Sequence, residues 1–570
     1  MKYIKNIILL TSTLLFVGCD ESSFLEEINP NATTSAIFWE TESQFNTGLT
    51  TVYGALQFQS VSGSGMQYEM VRADIAGTES WYAPNTFRNL TYTDGTFYVT
   101  DKWNELYIGI FRANQVIENI NKVDGSSFTG NAKKEIEAQA RFLRAYFYFE
   151  LANTYGGAVI QTKIAETTDD LKQPFSTIAE VNTNVIIPDL MFAKENLPLE
   201  WTSDSDLGRA TQGAAKSLLG KVYLYDQEWG MAATQFKEVI DSQVYTLVPD
   251  ILDNYTDLNE FNSESIFEVS FSTAVAPGVN GAIVDNSPSE NGAEASALAR
   301  PLGQLNFGGY NTVLPSYFLH ELFVNDEIDP SNPVNDGNSQ SKRMGGSIVP
   351  IDGDGTYYNL PIGDKAGWSF GQSSYVKKYT NWYNSDSEDV NSRSGINFRA
   401  IRLADVYLMY AEAVLMDTGD FNTAITYIDK VRSRAGVKTL AQYMSDNAGQ
   451  FPQLHVSKQV HGSQPLVTPS VQTVLTHIQR VERPLELCFE GQRWKDLVRW
   501  GIVQQVFTEL RADEVWRQNN LDLTGQGEAP IFINERIRPD FIIASSIYDS
   551  AQHDYFPIPT LEVQANDNVK

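Results

Sequence analysis

Residues 211–244 read TQGAAKSLLGKVYLYDQEWGMAATQFKEVIDSQV, and their spacing predicts one helix, a tight turn and a second helix. Leu219, Gly220, Tyr223, Ala232 and Phe236 fall where a two-helix repeat of about 34 residues alternates small and large side chains. The small residues let two antiparallel helices approach, and the larger ones fill the space between them. A single hairpin cannot bury its own apolar face, so the chain must supply other helix pairs to stack against this one.

The hairpin has tetratricopeptide spacing, and working outward from it finds further helices. Between Trp39 and Ser60, Phe45, Leu49, Val52, Tyr53 and Leu56 share one side before the glycine-rich SVSGSG. From Thr100, Trp103, Leu106, Tyr107, Ile110, Phe111, Ile117 and Ile120 recur at three and four residues, with Asn114 in the remaining slot. KKEIEAQARFLRAYFYFELANTYGG is apolar on more than one side, so that helix needs neighbours nearly all round, and Gly156 and Gly157 end it. Another helix is predicted over about 178–196.

A second pair follows far along the chain. Leu403, Val406, Tyr407, Tyr410 and Val414 are periodic, Thr418-Gly419-Asp420 is a turn, and Ala424 and Ile428 then hold the positions of Ala232 and Phe236. A last helical block spans Val474 to Val506. Residues 61–99 and 245–398 break every period with turn clusters and scattered aromatics, and they read as loops with short strands. The expectation is a mainly α, single-domain fold. Its helical scaffold lies mainly at 39–60, 100–242, 400–434 and 474–510, with helices from remote parts of the chain stacked and the irregular half laid across them.

Composition narrows the function. The 570 residues carry 42 Lys and Arg against 71 Asp and Glu, a formal charge of −29, which repels phosphate backbones and excludes nucleic acid as a partner. Aromatics make up 12 % of the chain, enough to leave some rings on the surface. Lys2 and Lys5 precede an apolar run from Ile7 to Val17, too short to span a bilayer as a stable helix and suited to a cleavable export signal. That run ends at Gly18 and Cys19, which resembles a bacterial lipoprotein signal, although Phe16 stands where leucine is usual. On this reading residues 1–18 are removed, Cys19 carries the lipid, and residues 19–30 form an acidic tether. Cys488 is the only other cysteine, so there is no disulfide framework, and its apolar context LELCF predicts a buried free thiol.

FLEEINPN, EAQARFLRAYFYFELANTYGG, the hairpin at 211, NFRAIRLADVYLMYAEA, VERPLELCFEGQRWKDLVRWG and YFPIPTLEVQAN follow the export signal in the order seen in the RagB/SusD family of Bacteroidetes outer-membrane lipoproteins. The resemblance covers essentially the whole mature chain. It implies a non-catalytic, surface-exposed, lipid-anchored protein of the outer membrane that binds nutrient, most often a glycan, and acts as a lid on a SusC-type TonB-dependent transporter. Asp20 and Glu21 resemble the signal that sends such lipoproteins to the cell surface. The conspicuous charged blocks read as scaffold: Arg141, Arg144 and Glu150 border a packed helix, and Glu482, Arg483, Glu486, Glu490, Arg493 and Asp496 recur at the spacing of an ion-pair network.

Catalytic and metal motifs fail on inspection. His320-Glu321 begins like HExxH, but Val324 occupies the fifth position. Gly353 and Gly355 resemble a phosphate loop, but Tyr358 stands where its third glycine should be. Asp352, Asp354 and Thr356 open like a calcium loop, yet Tyr357 replaces the turn glycine and Gly363 the final acid. No metal or other cofactor is expected. Among 71 acids a glycosidase pair cannot be dismissed by counting; the family resemblance decides against an enzyme.

A pyranose offers an apolar face and a rim of hydroxyls, so it calls for flat rings with polar partners at the edge. One platform covering about 100 Å² contributes roughly 2.5 kcal/mol, whereas association costs at least about 4 kcal/mol, so two or three rings are expected. Loop position nominates Trp81, Tyr82 and Asn85, Trp368, Trp382 with Tyr383, and Tyr310. Trp103, Trp494 and Trp500 stand on helix faces and read as core. Lys342-Arg343 and Lys377-Lys378 are the only basic pairs in the loop-rich half, which favours a neutral polysaccharide; Arg88, near Trp81, keeps an anionic glycan open. The competing readings are a lid whose main role is gating, with peptide cargo, and a glycoside hydrolase.

Overall fold

The computed structural model describes residues 38–275, 294–350, 353–362, 372–521 and 537–569. The leader, Cys19, Asp352, Gly363 and Trp368 lie outside the described residues.

The hairpin forms as its sequence requires. Its helices run Gln212–Tyr225 and Trp229–Asp241, and Thr211 caps the first by accepting a hydrogen bond from the Ala214 N–H. A Cβ added to Gly220 would stand 2.6 Å from the Phe236 ring, so only glycine permits this approach. We number the scaffold helices α1 (Glu42–Gly54), α2 (Phe97–Ile120), α3 (Ala132–Tyr155), α4 (Ile187–Asn196), α5 and α6 (the hairpin), α7 (Leu403–Thr418) and α8 (Phe421–Ala435). Each packs on the next in this order, and α6 meets α7 although some 160 residues separate them. An antiparallel ladder between Ser265–Val269 and Phe398–Arg402 makes that possible, because it draws together the two ends of the loop-rich half. Remote helices therefore stack, as the apolar faces demand, and the irregular segments make one long excursion between them.

Two helices contain a π turn, Asn182–Ile186 and Ile478–Glu482. A proline follows each, Pro188 and Pro484, within the first residues of the next α segment. Proline has no N–H to donate and its ring crowds the preceding turn, so the backbone widens there instead of breaking.

Two regions differ from their sequence reading. Residues 66–72 form a helix, not loop or strand, and every residue in it is buried. The polar side chains that disguise it are partnered: Gln67 accepts a hydrogen bond from Thr312 at 2.7 Å, Glu69 one from Tyr98 at 3.1 Å, and the Arg72 guanidinium lies 4.2 Å from the Trp494 ring. The block at 474–506 is not one helix: Phe489 and Gly491, and then Gly501, take positive φ and split it into helical segments over 471–486, Arg493–Arg499 and Val503–Asn519.

The charged blocks are scaffold. Arg144 pairs with Asp189 at 2.7 Å, Arg141 with Glu137 and Asp189, and Lys495 reaches Glu150. Around Glu482, Glu486 and Glu490 the network is larger than its helical spacing suggests. Arg343, Lys378, Arg402, Arg432 and Arg434 face Glu264, Asp326, Glu482, Glu486 and Glu490, one cation for each carboxylate, all buried. Glu264, Asp326, Arg343 and Lys378 belong to the loop-rich half and the others to the scaffold side. The lattice is thus the joint between them. Cys488 is a buried free thiol beside it.

Candidate functional site

Exposed rings occur on α2, at Phe97 and Phe111, and in the loop-rich segments, at Trp81 and Tyr310. Ala76–Gly77 and Leu314–Pro315 form a two-residue antiparallel ladder, with Gly77 opposite Leu314. Trp81 lies four residues beyond Gly77 and Tyr310 four before Leu314, so both chains leave the ladder at the same end with an aromatic at the same remove. Trp81 is 58 % exposed and Tyr310 43 %. Such exposure of large rings costs solvation.

The Trp81 segment is fixed from beneath. Glu79, buried, accepts a hydrogen bond from Gln372; Gln372 accepts one at 2.6 Å from Arg538, which pairs with Asp540 at 2.7 Å. Turn hydrogen bonds from Tyr82 N–H to the Glu79 carbonyl and from Asn85 N–H to the Tyr82 carbonyl, both 3.1 Å, lead into a short helix. The Tyr82 ring lies 5.9 Å from that of Trp81 at an angle of 52°, giving two inclined surfaces. Asn85 is half-buried and its Oδ1 accepts from Asn89.

Tyr310 has Arg300 against it, the guanidinium 4.4 Å from the ring centroid. Arg300 donates to the carbonyls of Gly308 and Val390, so it stiffens the loops around the phenol. Sequence reasoning missed Arg300: it stands ten residues away in an aperiodic stretch that carries no signal of contact.

The remaining candidates divide. Trp382 is half-buried on a cluster of Phe307, Val349, Tyr357 and Tyr358, and the Lys377 ammonium lies 3.8 Å from its ring. Burial, with Lys342 nearby, lowers the Lys377 amine to about 8. Tyr383 is held within the fold: its hydroxyl donates to Asp257 Oδ1 at 2.6 Å and accepts from the Asp257 N–H at 2.9 Å. The structure thus pairs Trp81 with Tyr82 and Trp382 with Tyr383, and sets Tyr310 with Arg300. Trp103 and Trp494 are buried, as their helix faces imply; Trp500 is half-buried and donates to Glu412 at 2.7 Å.

Of the basic residues considered for an anionic ligand, Lys377 lies on the Trp382 ring and the others are engaged elsewhere. Arg88 is buried and donates to the carbonyls of Val71, Ala73 and Ala76, so it cannot reach cargo beside Trp81. Arg343 and Lys378 sit in the ion lattice, and Lys342 pairs with Asp250 at 2.7 Å. His320 is sealed, its imidazole lowered to about 4 by burial and Arg517.

Stacked helix pairs bearing a loop-built aromatic face define a class of helical-scaffold ligand-binding proteins. Within that class, the chain belongs to the SusD/RagB family. The pattern described as "SusD family" matches residues 355–570, and that described as "Starch-binding associating with outer membrane" matches residues 23–224. SusD-like protein P25 of Formosa agariphila is 24% identical over 523 residues, covering 86% of this chain and 89% of that one. A SusD-like carbohydrate-binding protein of Bacteroides fragilis superposes with a TM-score of 0.70 at 20% identity, over 94% of this chain and 100% of that one. Surface glycan-binding protein A of Bacteroides thetaiotaomicron, solved with laminarihexaose, gives 0.62 at 17%, over 92% and 98%. Among the described residues no helix is long and apolar enough to cross a membrane.

Proposed function

We propose that this protein is a non-catalytic, surface-exposed glycan-binding lipoprotein, anchored in the outer membrane through Cys19. In this reading it serves as the lid of a SusC-type TonB-dependent transporter that imports oligosaccharide. The observation that carries the reading is the placing of Trp81 and Tyr310, both exposed, at one end of a ladder in the loop-rich half, with Tyr82 inclined beside Trp81. Solved relatives of the same fold whose names state carbohydrate or glycan binding support it. The engagement of Arg88, Lys342, Arg343 and Lys378 inside the fold favours a neutral polysaccharide, and the cations that do lie on candidate rings are the buried Lys377 at Trp382 and Arg300 at Tyr310, the latter bound to the carbonyls of Gly308 and Val390. Carboxylates near the rings are likewise occupied: Glu388 accepts from Tyr358 and Asn381, and Asp257 from Tyr383. That argues against a hydrolytic pair.

Affinity electrophoresis of the purified protein in gels containing laminarin or another neutral polysaccharide tests the reading. The expected outcome is retardation that Trp81→Ala abolishes. Absence of retardation in every glycan would favour a gating lid with peptide cargo, and release of reducing sugar from a bound polysaccharide would make the protein a hydrolase. The anchor is tested by Cys19→Ala, which should move the protein from the membrane to the soluble fraction, because acyl chains contribute about 0.8 kcal/mol per buried methylene. Retention of the variant in membranes would refute the anchor.

A further inference from the structure

A cleft of about 190 Å³, which includes neither Trp81 nor Tyr310, opens between the loop before α5 and the loop before the 265–269 strand. Trp201, Tyr245 and Phe261 line it, all half-buried. Each ring's segment is fixed by a hydrogen bond. The Trp201 indole N–H donates to the Ala210 carbonyl at 3.0 Å, and the Tyr245 hydroxyl lies 3.0 Å from Thr211 Oγ1 at the cap of α5.

Phe261 is held in a conformation that a bulky residue rarely adopts, with φ at +49°. Its N–H donates at 2.8 Å to Glu268, a buried carboxylate that pairs with Arg399 at 3.1 Å and accepts from Asn397 at 2.8 Å. Opposite, Gly208 has φ +85°, and a Cβ there would stand 2.7 Å from the Phe261 ring. Backbone strain at Phe261, with a glycine opposite that leaves room for the ring, sets that ring at the cavity wall, an arrangement typical of ligand clamps. Past Leu207, Gly208 and Arg209 the cleft continues into a second compartment of about 240 Å³, walled by Tyr53, Gln57 and Glu294.

We infer that this cleft is a second carbohydrate site, each compartment taking one neutral pyranose residue. It rests on the proposed function only for the class of ligand. Either volume is below the 300 Å³ or so at which pockets accept drug-sized molecules, and suits a single ring. The three aromatics offer faces to its C–H groups, while Glu200, Ser263 and Thr211 stand at the edge for hydroxyls. An anion is disfavoured, because Arg209, the cation lining the cleft, is engaged by Asp206 at 2.9 Å and Glu200 is an exposed acid at the mouth. Two separate sites would let one polysaccharide chain be held twice, raising retention without a stronger individual site.

Saturation-transfer NMR on the Trp81→Ala protein tests the inference, using methyl β-D-glucopyranoside, methyl β-D-galactopyranoside and methyl α-D-mannopyranoside as probes. Transfer to at least one glycoside should survive in that background, and Trp201→Ala added to it should weaken binding by about tenfold, the loss of one stacking platform. Leu207→Asn, at an exposed position the core does not use, should weaken it as well, which guards against misfolding caused by the tryptophan change. Transfer absent from the Trp81→Ala protein, or unchanged by both added substitutions, would overturn the second site. If the wild-type protein were still retarded in polysaccharide gels, the first reading would stand without it.

Discussion

The joint between the two halves and the face of the loop-rich half invert the usual order of a protein. The joint buries five cations and five carboxylates where apolar side chains would be expected, whereas the face leaves an indole and a phenol in water. The usual arrangement makes either observation informative. Together they separate two tasks. The lattice gives the excursion between α6 and α7 one docking geometry, since charge pairs tolerate no sliding; Tyr310 stands on that rigid base, and Trp81 is joined to it through the Gly77–Leu314 ladder.

The comparison breaks most violently at Arg402. Its guanidinium meets Glu264 at 2.9 Å, Glu486 at 2.7 Å and Glu490 at 2.9 Å. Arg402→Met should destabilise the protein by about 3–5 kcal/mol, because it leaves five buried carboxylates facing only four cations. Urea unfolding measures this directly. A loss below 1 kcal/mol or so would mean that the lattice is wet and the joint loose.

Acid should loosen the same joint. Burial alone would raise the Glu486 carboxyl, but Arg434, Arg402 and Arg343 outweigh it and hold it at about 2, below its ordinary 4.5. Asp496 is likewise held at about 2, with Arg483 and Arg499 overcoming burial. Their contribution is complete above the unfolded value near 4.5 and is lost as pH falls towards 2. Glu105 works the other way. Burial pushes it up to about 8, so its contribution is present below 4.5 and lost as pH rises through 8. Thermal unfolding across pH should therefore show its maximum between these limits, with the acid limb steepest and flattened in Arg402→Met. An acid limb unchanged by that substitution would place the acid-sensitive groups elsewhere.

How much of this was legible in the sequence depended on distance along the chain. The alternation of Gly220 and Ala232 with Leu219 and Phe236 is local, so the hairpin could be read, and Ala424 and Ile428 gave its counterpart. Glu482, Glu486 and Glu490 were readable as a network, but Glu264, Asp326 and Arg343 were not, because no periodicity links residues brought together only by the loop-rich excursion. The helix at 66–72 was hidden by polar side chains whose partners, Thr312, Tyr98 and Lys102, lie well outside it. At the site, polar context identified Trp81 and Tyr310 as surface rings. It could not tell them from Tyr383, whose hydroxyl is bound to Asp257, or from Trp382, which rests on Tyr357 and Tyr358.

Among the tryptophans the comparison can be sharpened by an absence of effect. Trp103, buried on α2 with its ring 5.0 Å from those of Tyr107 and Tyr155, should lose about 3–5 kcal/mol on replacement by alanine through the cavity left behind. Trp81, 58 % exposed, contributes little to burial, so Trp81→Ala should alter stability by no more than about 0.5 kcal/mol. Thermal unfolding of the two variants side by side reads the difference. A large loss from Trp81→Ala would show that the indole braces its own loop, and its exposure would then need no ligand to account for it. A negligible loss leaves the ring without a structural role large enough to explain why the chain keeps it in water.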